Sequence, residues 1–153
     1  MYTNKEQTDR LLFVGLLPDS CDMVVLAGRS KKDPYKDWIA RPKLQVIKEA
    51  SKKNDKDALE GKNWMPVWSE DCLIDLLPHY IKDPKEGKVY ELHIVKRMIP
   101  GRGMYKCVSY FDNSTGTVWR SFMHPTLIRA LCSAVCEILC SDTYEIGNFV
   151  WDE

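Results

Sequence analysis

Residues 89 to 122 constrain the fold more than any other part of the chain. The run from Val89 to Ile99 alternates in polarity and is rich in β-branched and aromatic side chains, the pattern of a strand. Pro100-Gly101 follows and sets a fixed φ beside a residue that tolerates positive φ, as a type II turn requires. Met104 to Phe111 returns as a second strand. Asp112-Asn113-Ser114-Thr115-Gly116 makes another turn, and Thr117 to Phe122 supplies a third strand. The stretch predicts an antiparallel meander.

A sheet of this kind must bury one face, and the chain offers helices to cover it. Leu127, Leu131, Ala134, Val135, Ile138 and Leu139 form a wide apolar face on a helix from about Pro125 to Cys140. A second helix spans about 4–14, where Thr3 and Glu6 fit a capping box and Gly15 is a natural stop. A third is expected near 70–82. Ser69 can cap it, Leu73, Leu76, Leu77 and Tyr80 share a face, and Pro78 ends or kinks it. Met23 to Leu26 reads as a short buried strand, and Phe149, Val150 and Trp151 with Tyr144 and Ile146 as a terminal packing segment. The expected fold is α+β, an antiparallel sheet of three to five strands covered on one face by helices near 4–14, 70–82 and 125–140. With 153 residues and 44% apolar side chains, one domain with an ordinary core is expected over 1–153.

Residues 28–63 are the least legible. Arg41-Pro42 ahead of Leu44, Ile47 and Ala50 suits a helix opening on proline, although Leu44 and Val46 also alternate as a strand would. Lys52 to Lys62 is polar and reads as an exposed connection. The same region is basic: Arg29 to Lys62 holds eleven Lys or Arg against six Asp or Glu, within a chain whose formal net charge is zero. A basic stretch attracts nucleic acid or an acidic partner, and it also serves as a solvated surface.

The first twenty residues carry neither a long apolar run nor a basic lead into one, so no membrane partner and a cytoplasmic location are expected. In that setting the cysteines at 21, 72, 107, 132, 136 and 140 read as buried thiols.

Several stretches together resemble an uncharacterised family of small proteins from Bacteroidales phages, prophages and other mobile elements. They are Glu6-Gln7 with Leu11-Leu12 and Gly15-Leu16, then Cys21-Asp22-Met23, and Pro66-Val67-Trp68-Ser69 ahead of Leu73 to Leu77 and Pro78. Tyr90-Glu91-Leu92 and the Leu127 to Leu139 helix complete the set. The resemblance covers most of the chain outside 28–62. It implies a small mobile-element protein in a bacterial cytoplasm, and no activity or catalytic residue comes with it.

Cys132, Cys136 and Cys140 recur every four residues along one strip of a helix, but zinc sites pair short Cys-x-x-Cys spacings with a second pair elsewhere. Packing is the simpler role, so no metal and no cofactor are expected. His79, His93 and His124 lie in no catalytic motif. Cys107 and His93 on neighbouring strands could form a nucleophile pair, which keeps a small Cys–His hydrolase open as a third class. Lys96, Arg97, Arg102 and Lys106 cluster around one hairpin end with Tyr105 among them, and such a ribbon can track phosphates and stack a base. Charges there also guard an exposed strand edge, and a pI near 6.8 is low for a dedicated nucleic-acid module. Trp38, in the basic segment, would anchor a partner protein if exposed. The function expected first is a non-enzymatic interaction protein of a phage or mobile element, binding a host or phage protein. The alternative is a nucleic-acid binder acting through the basic hairpin.

Overall fold

The computed structural model describes residues 1–139 and 148–151. The chain divides into two compact units, Met1–Cys72 and Leu73–Glu153. Helices accompany two antiparallel sheets, of three and five strands, so the fold is α+β as expected.

The first unit opens with α1 (Lys5–Phe13). Its capping box lies one residue later than the sequence suggests. Gln7 N–H donates to Asn4 Oδ1 at 2.8 Å, and Asn4 N–H donates to Gln7 Oε1 at 2.9 Å. Thr3 cannot cap because its hydroxyl is already engaged inside the unit. It accepts from Trp68 N–H at 3.1 Å and lies 3.0 Å from the Thr8 hydroxyl. Gly15 closes the helix at φ +103, with Leu16 N–H reaching Leu11 O and Gly15 N–H reaching Leu12 O, a Schellman arrangement.

Strand β1 (Met23–Leu26) runs between β2 (Arg41–Pro42) and β3 (Trp64–Val67). Helix α2 (Lys43–Lys53) settles the ambiguity at Leu44 and Val46 in favour of helix. Val46 and Ala50 are its buried positions. Pro42 stays extended just outside it, and Asn54 ends it at φ 53. The expected exposed connection at 52–62 instead contains α3 (Lys56–Leu59), capped by Asp55 and buried at Ala58. The polar composition hid it because a four-residue helix has no room for an apolar stripe. Trp68 is fully buried, and its indole N–H donates to Ser20 Oγ at 3.0 Å.

Helix α4 (Glu70–Leu76) starts as expected, with Ser69 Oγ accepting from Cys72 N–H, while the Ser69 hydroxyl and N–H bond to the Asp22 carboxylate. It does not run to 82. Pro78 cannot donate within a helix, and β4 (Tyr80–Asp83) follows at once. Ile81 is fully buried there, which explains why this run is apolar without being helical.

In the second unit the meander is realised as β5 (Lys88–Ile99), β6 (Gly103–Asp112) and β7 (Thr117–His124). Together with β4 and β8 (Asn148–Val150) it forms a sheet of order β7-β6-β5-β4-β8. The expected terminal packing segment is thus a strand at Asn148–Val150, whereas Tyr144 and Ile146 lie outside the described residues. Ladder register puts Ile81, Tyr90, Val108, Tyr110 and Phe122 on one face. Helix α5 (Leu127–Ile138) packs on β6 and β7 and buries Ile128, Leu131, Val135 and Ile138. Its Ser133 Oγ lies 3.1 Å from His124 Nε2, and His124 shares the face of Phe122, so α5 covers that face. A bulge opposite Tyr110/Phe111 leaves Trp119 as the extra residue. The bulge turns its ring onto Tyr90 and Tyr110, each with centroids 6.2 Å away. Tyr110 closes this core by donating its hydroxyl to Pro78 O at 2.7 Å, and burial pushes the phenol well above its ordinary range.

Candidate nucleic-acid interface

Strands β5 and β6 are longer than the sheet that holds them. The last rung shared by three strands is Lys96–Lys106–His124. Beyond it, among the described residues, only two strands remain, with Arg97 opposite Tyr105, Met98 opposite Met104 and Ile99 opposite Gly103. The turn is the expected type II: Arg102 N–H donates to Ile99 O at 2.9 Å and Gly101 sits at φ +77. Gly103 follows at φ +91, so Arg102 is the last residue of the Pro100–Arg102 loop and stands between two glycines.

All five predicted residues, Lys96, Arg97, Arg102, Tyr105 and Lys106, therefore lie on one ribbon. Strand alternation divides them. Lys96 and Lys106 stand directly opposite each other on the face of Met98 and Met104. Arg97 and Tyr105 occupy the other face as a cross-strand pair. Like charges directly opposite oppose pairing by a few tenths of a kcal/mol, roughly, so Lys96 and Lys106 do not stabilise the ladder through each other. No Asp or Glu occurs between Leu92 and Phe111, so the charged residues of that stretch are all basic.

The sequence pattern alone does not single out Met98 and Met104. They form one rung and are 65% and 50% exposed, which makes them the most open apolar side chains of the hairpin. Their signal was an apolar residue three positions to either side of Gly101, legible only once the register is known.

The remaining candidates are placed elsewhere. Trp38 is half-buried in the first unit, and its indole N–H donates to Thr3 O at 2.9 Å, so its polar edge is already used. Cys107 is buried at 1% exposure, with its Sγ 3.2 Å from Ser121 Oγ. His93 pairs opposite Ser109 instead, and its Nε2 lies 3.6 Å from Glu91 Oε2. The thiol is closed off from solvent, and the access a nucleophile needs is missing. Cys132 and Cys136 are buried on α5, and Cys140 lies outside the described residues. Among the described residues, no group of three or more His, Cys, Asp or Glu is placed to hold a metal ion.

One further grouping escapes the sequence. The Glu91 carboxylate sits between His93 and His79 Nε2, the latter at 4.0 Å, and accepts from Asn113 Nδ2 at 2.9 Å. Its sequence trace is Glu91-x-His93, two residues on one strand face. It lies outside the acid-free stretch of the hairpin.

No helix of the described residues is long and apolar enough to cross a membrane. Comparison of the chain with known protein families, characterised proteins and solved structures finds no match.

Proposed function

We propose that this protein acts by binding a macromolecule rather than by catalysis, and that the macromolecule is a nucleic acid held by the end of the β5–β6 hairpin. One observation carries the proposal. A two-stranded ribbon bearing Lys96, Arg97, Arg102 and Lys106, with no acidic residue between Leu92 and Phe111, runs on past the sheet. Phosphates are recognised by such arrays of cations, and Tyr105 beside Arg97 offers a ring on which a base can stack. The resemblance to mobile-element proteins supports a phage or prophage setting, in which nucleic acid is an expected target class.

Binding of labelled oligonucleotides, followed by fluorescence anisotropy, tests this. Four phosphate contacts weaken binding to duplex on the order of 100-fold between 50 and 200 mM salt. Affinity that ignores salt, or no affinity, removes nucleic acid from consideration.

A protein partner is the second reading, and one observation favours it. On the Arg97 face, Val95 and Met123 flank Cys107 in a row and are 41% and 44% exposed. A partner bound there would be insensitive to nuclease and to moderate salt.

A further inference from the structure

We infer that the ribbon takes duplex DNA in its minor groove, with the Met98–Met104 rung acting as a wedge that bends the helix. The inference rests on the nucleic-acid reading above and specifies its target. Three features of the ribbon lead to it.

The first is length. From Arg97 to Ile99 the free ribbon extends three residues, about 10 Å at the usual strand rise. The minor groove is roughly 7.5 Å deep, so the ribbon end reaches its floor.

The second is the order of side chains along it. Arg102 stands in the end loop, the Met98–Met104 rung lies behind it beyond the Ile99–Gly103 rung, and Lys96 and Lys106 lie on the face of the methionines two residues further back. An arginine entering first meets the negative potential of a narrow groove. Lysines behind it are spaced to reach the phosphates on the groove walls. An anionic membrane would ask for the reverse order, with apolar groups at the apex and cations behind them.

The third is width. Paired strands stand about 4.8 Å apart before side chains are added, and a minor groove about 6 Å wide must open to admit them. Apolar side chains inserted between base pairs open it, kinking the duplex by roughly 20–90° towards the major groove. Met98 and Met104 are unbranched, adaptable and solvent-exposed, as such a wedge requires. Their exposure in the unbound protein is otherwise unfavourable, since nothing in the ladder needs two apolar side chains on an open rung.

The test uses a short duplex with donor and acceptor dyes at its two ends, together with anisotropy on the same sample. Wild-type protein is expected to bind and to raise energy transfer. The Met98→Ala/Met104→Ala double variant is expected to bind at least tenfold more weakly, because the groove is no longer opened, and to show no rise in transfer even at protein concentrations that saturate the duplex. Pre-filling the minor groove with a groove-binding polyamide is expected to block wild-type binding. Binding without a change in transfer, or tighter binding to single strands than to duplex, overturns the wedge and leaves the nucleic-acid reading standing. Absence of binding to either form overturns both. Binding to phosphatidylglycerol vesicles in preference to DNA also overturns both and marks a membrane surface as the target.

Discussion

The two ends of the β5–β6 hairpin obey the same strand geometry and serve opposite ends. Near its base, Tyr90, Val108 and Tyr110 are buried on one face of the sheet, and the Tyr110 hydroxyl has a carbonyl partner on Pro78. From the Lys96–Lys106 rung outward, one face shows two lysines and two methionines and the other an arginine and a tyrosine, and beyond that rung no third strand lies alongside among the described residues. Burial explains each residue of the base. At the outer end burial explains little, and alternation distributes cations and exposed apolar groups without a core to receive them. Residues that stability does not account for are the ones to assign to function.

The contrast predicts unequal costs for equal truncations. Tyr110→Ala removes a fully buried ring and leaves Pro78 O without its donor, so urea denaturation should show a loss of about 3–5 kcal/mol. Met104→Ala, on the exposed rung, should stay within about 0.5 kcal/mol. Comparable losses at the two sites would mean that the outer ribbon belongs to the core.

Asp112 joins the base to β7 and sharpens the comparison through pH. Its carboxylate accepts from the Ser114 hydroxyl at 2.7 Å and Ser114 N–H at 2.9 Å, and from the Thr115 hydroxyl at 3.0 Å. These bonds, the Ser114 hydroxyl foremost, hold the group below its ordinary carboxyl value. A depressed carboxylate stabilises the fold above its unfolded pKa, and that contribution fades as pH falls through the folded one. Asp112→Ala should therefore lower the melting temperature by about 4 °C at neutral pH and by less below about pH 4. A deficit independent of pH would assign the residue a packing role instead.

The smallest effect belongs to the tip. Gly101 is held at φ +77 with open space where a Cβ would go, so Gly101→Ala adds conformational strain of about 1 kcal/mol without a clash. Since the ribbon end can open by itself, the strain should appear as faster amide exchange at Arg102, with global stability unchanged. A matching global loss would show that the tip unfolds only with the whole unit.

The same division decides what the sequence reveals. The meander was legible because Val89–Ile99, Pro100-Gly101 and Asp112–Gly116 obey local rules of alternation and turn chemistry. Helix α5 was legible from its apolar stripe. Tyr80–Asp83 was misassigned because an apolar run after a helix looks helical until Pro78 and pairing with β5 are weighed together. Strands β2 and β3 escaped because Arg41-Pro42 is two residues long and Trp64–Val67 contains a proline, which local patterns count against a strand. The basic residues of the candidate interface were visible as a cluster. Their division into two faces, and the Met98–Met104 rung between them, depend on a register that the turn sets and composition does not show.

The most direct test removes three of the ribbon's four positive charges without touching its base. In the Lys96→Ala/Arg97→Ala/Arg102→Ala variant, thermal unfolding and oligonucleotide affinity are measured on the same preparation. Unfolding within about 0.5 kcal/mol of wild type, with affinity reduced at least tenfold and a shallower salt dependence, is the predicted result. Unchanged affinity in a variant that folds normally would contradict it, and would move the binding surface off this hairpin.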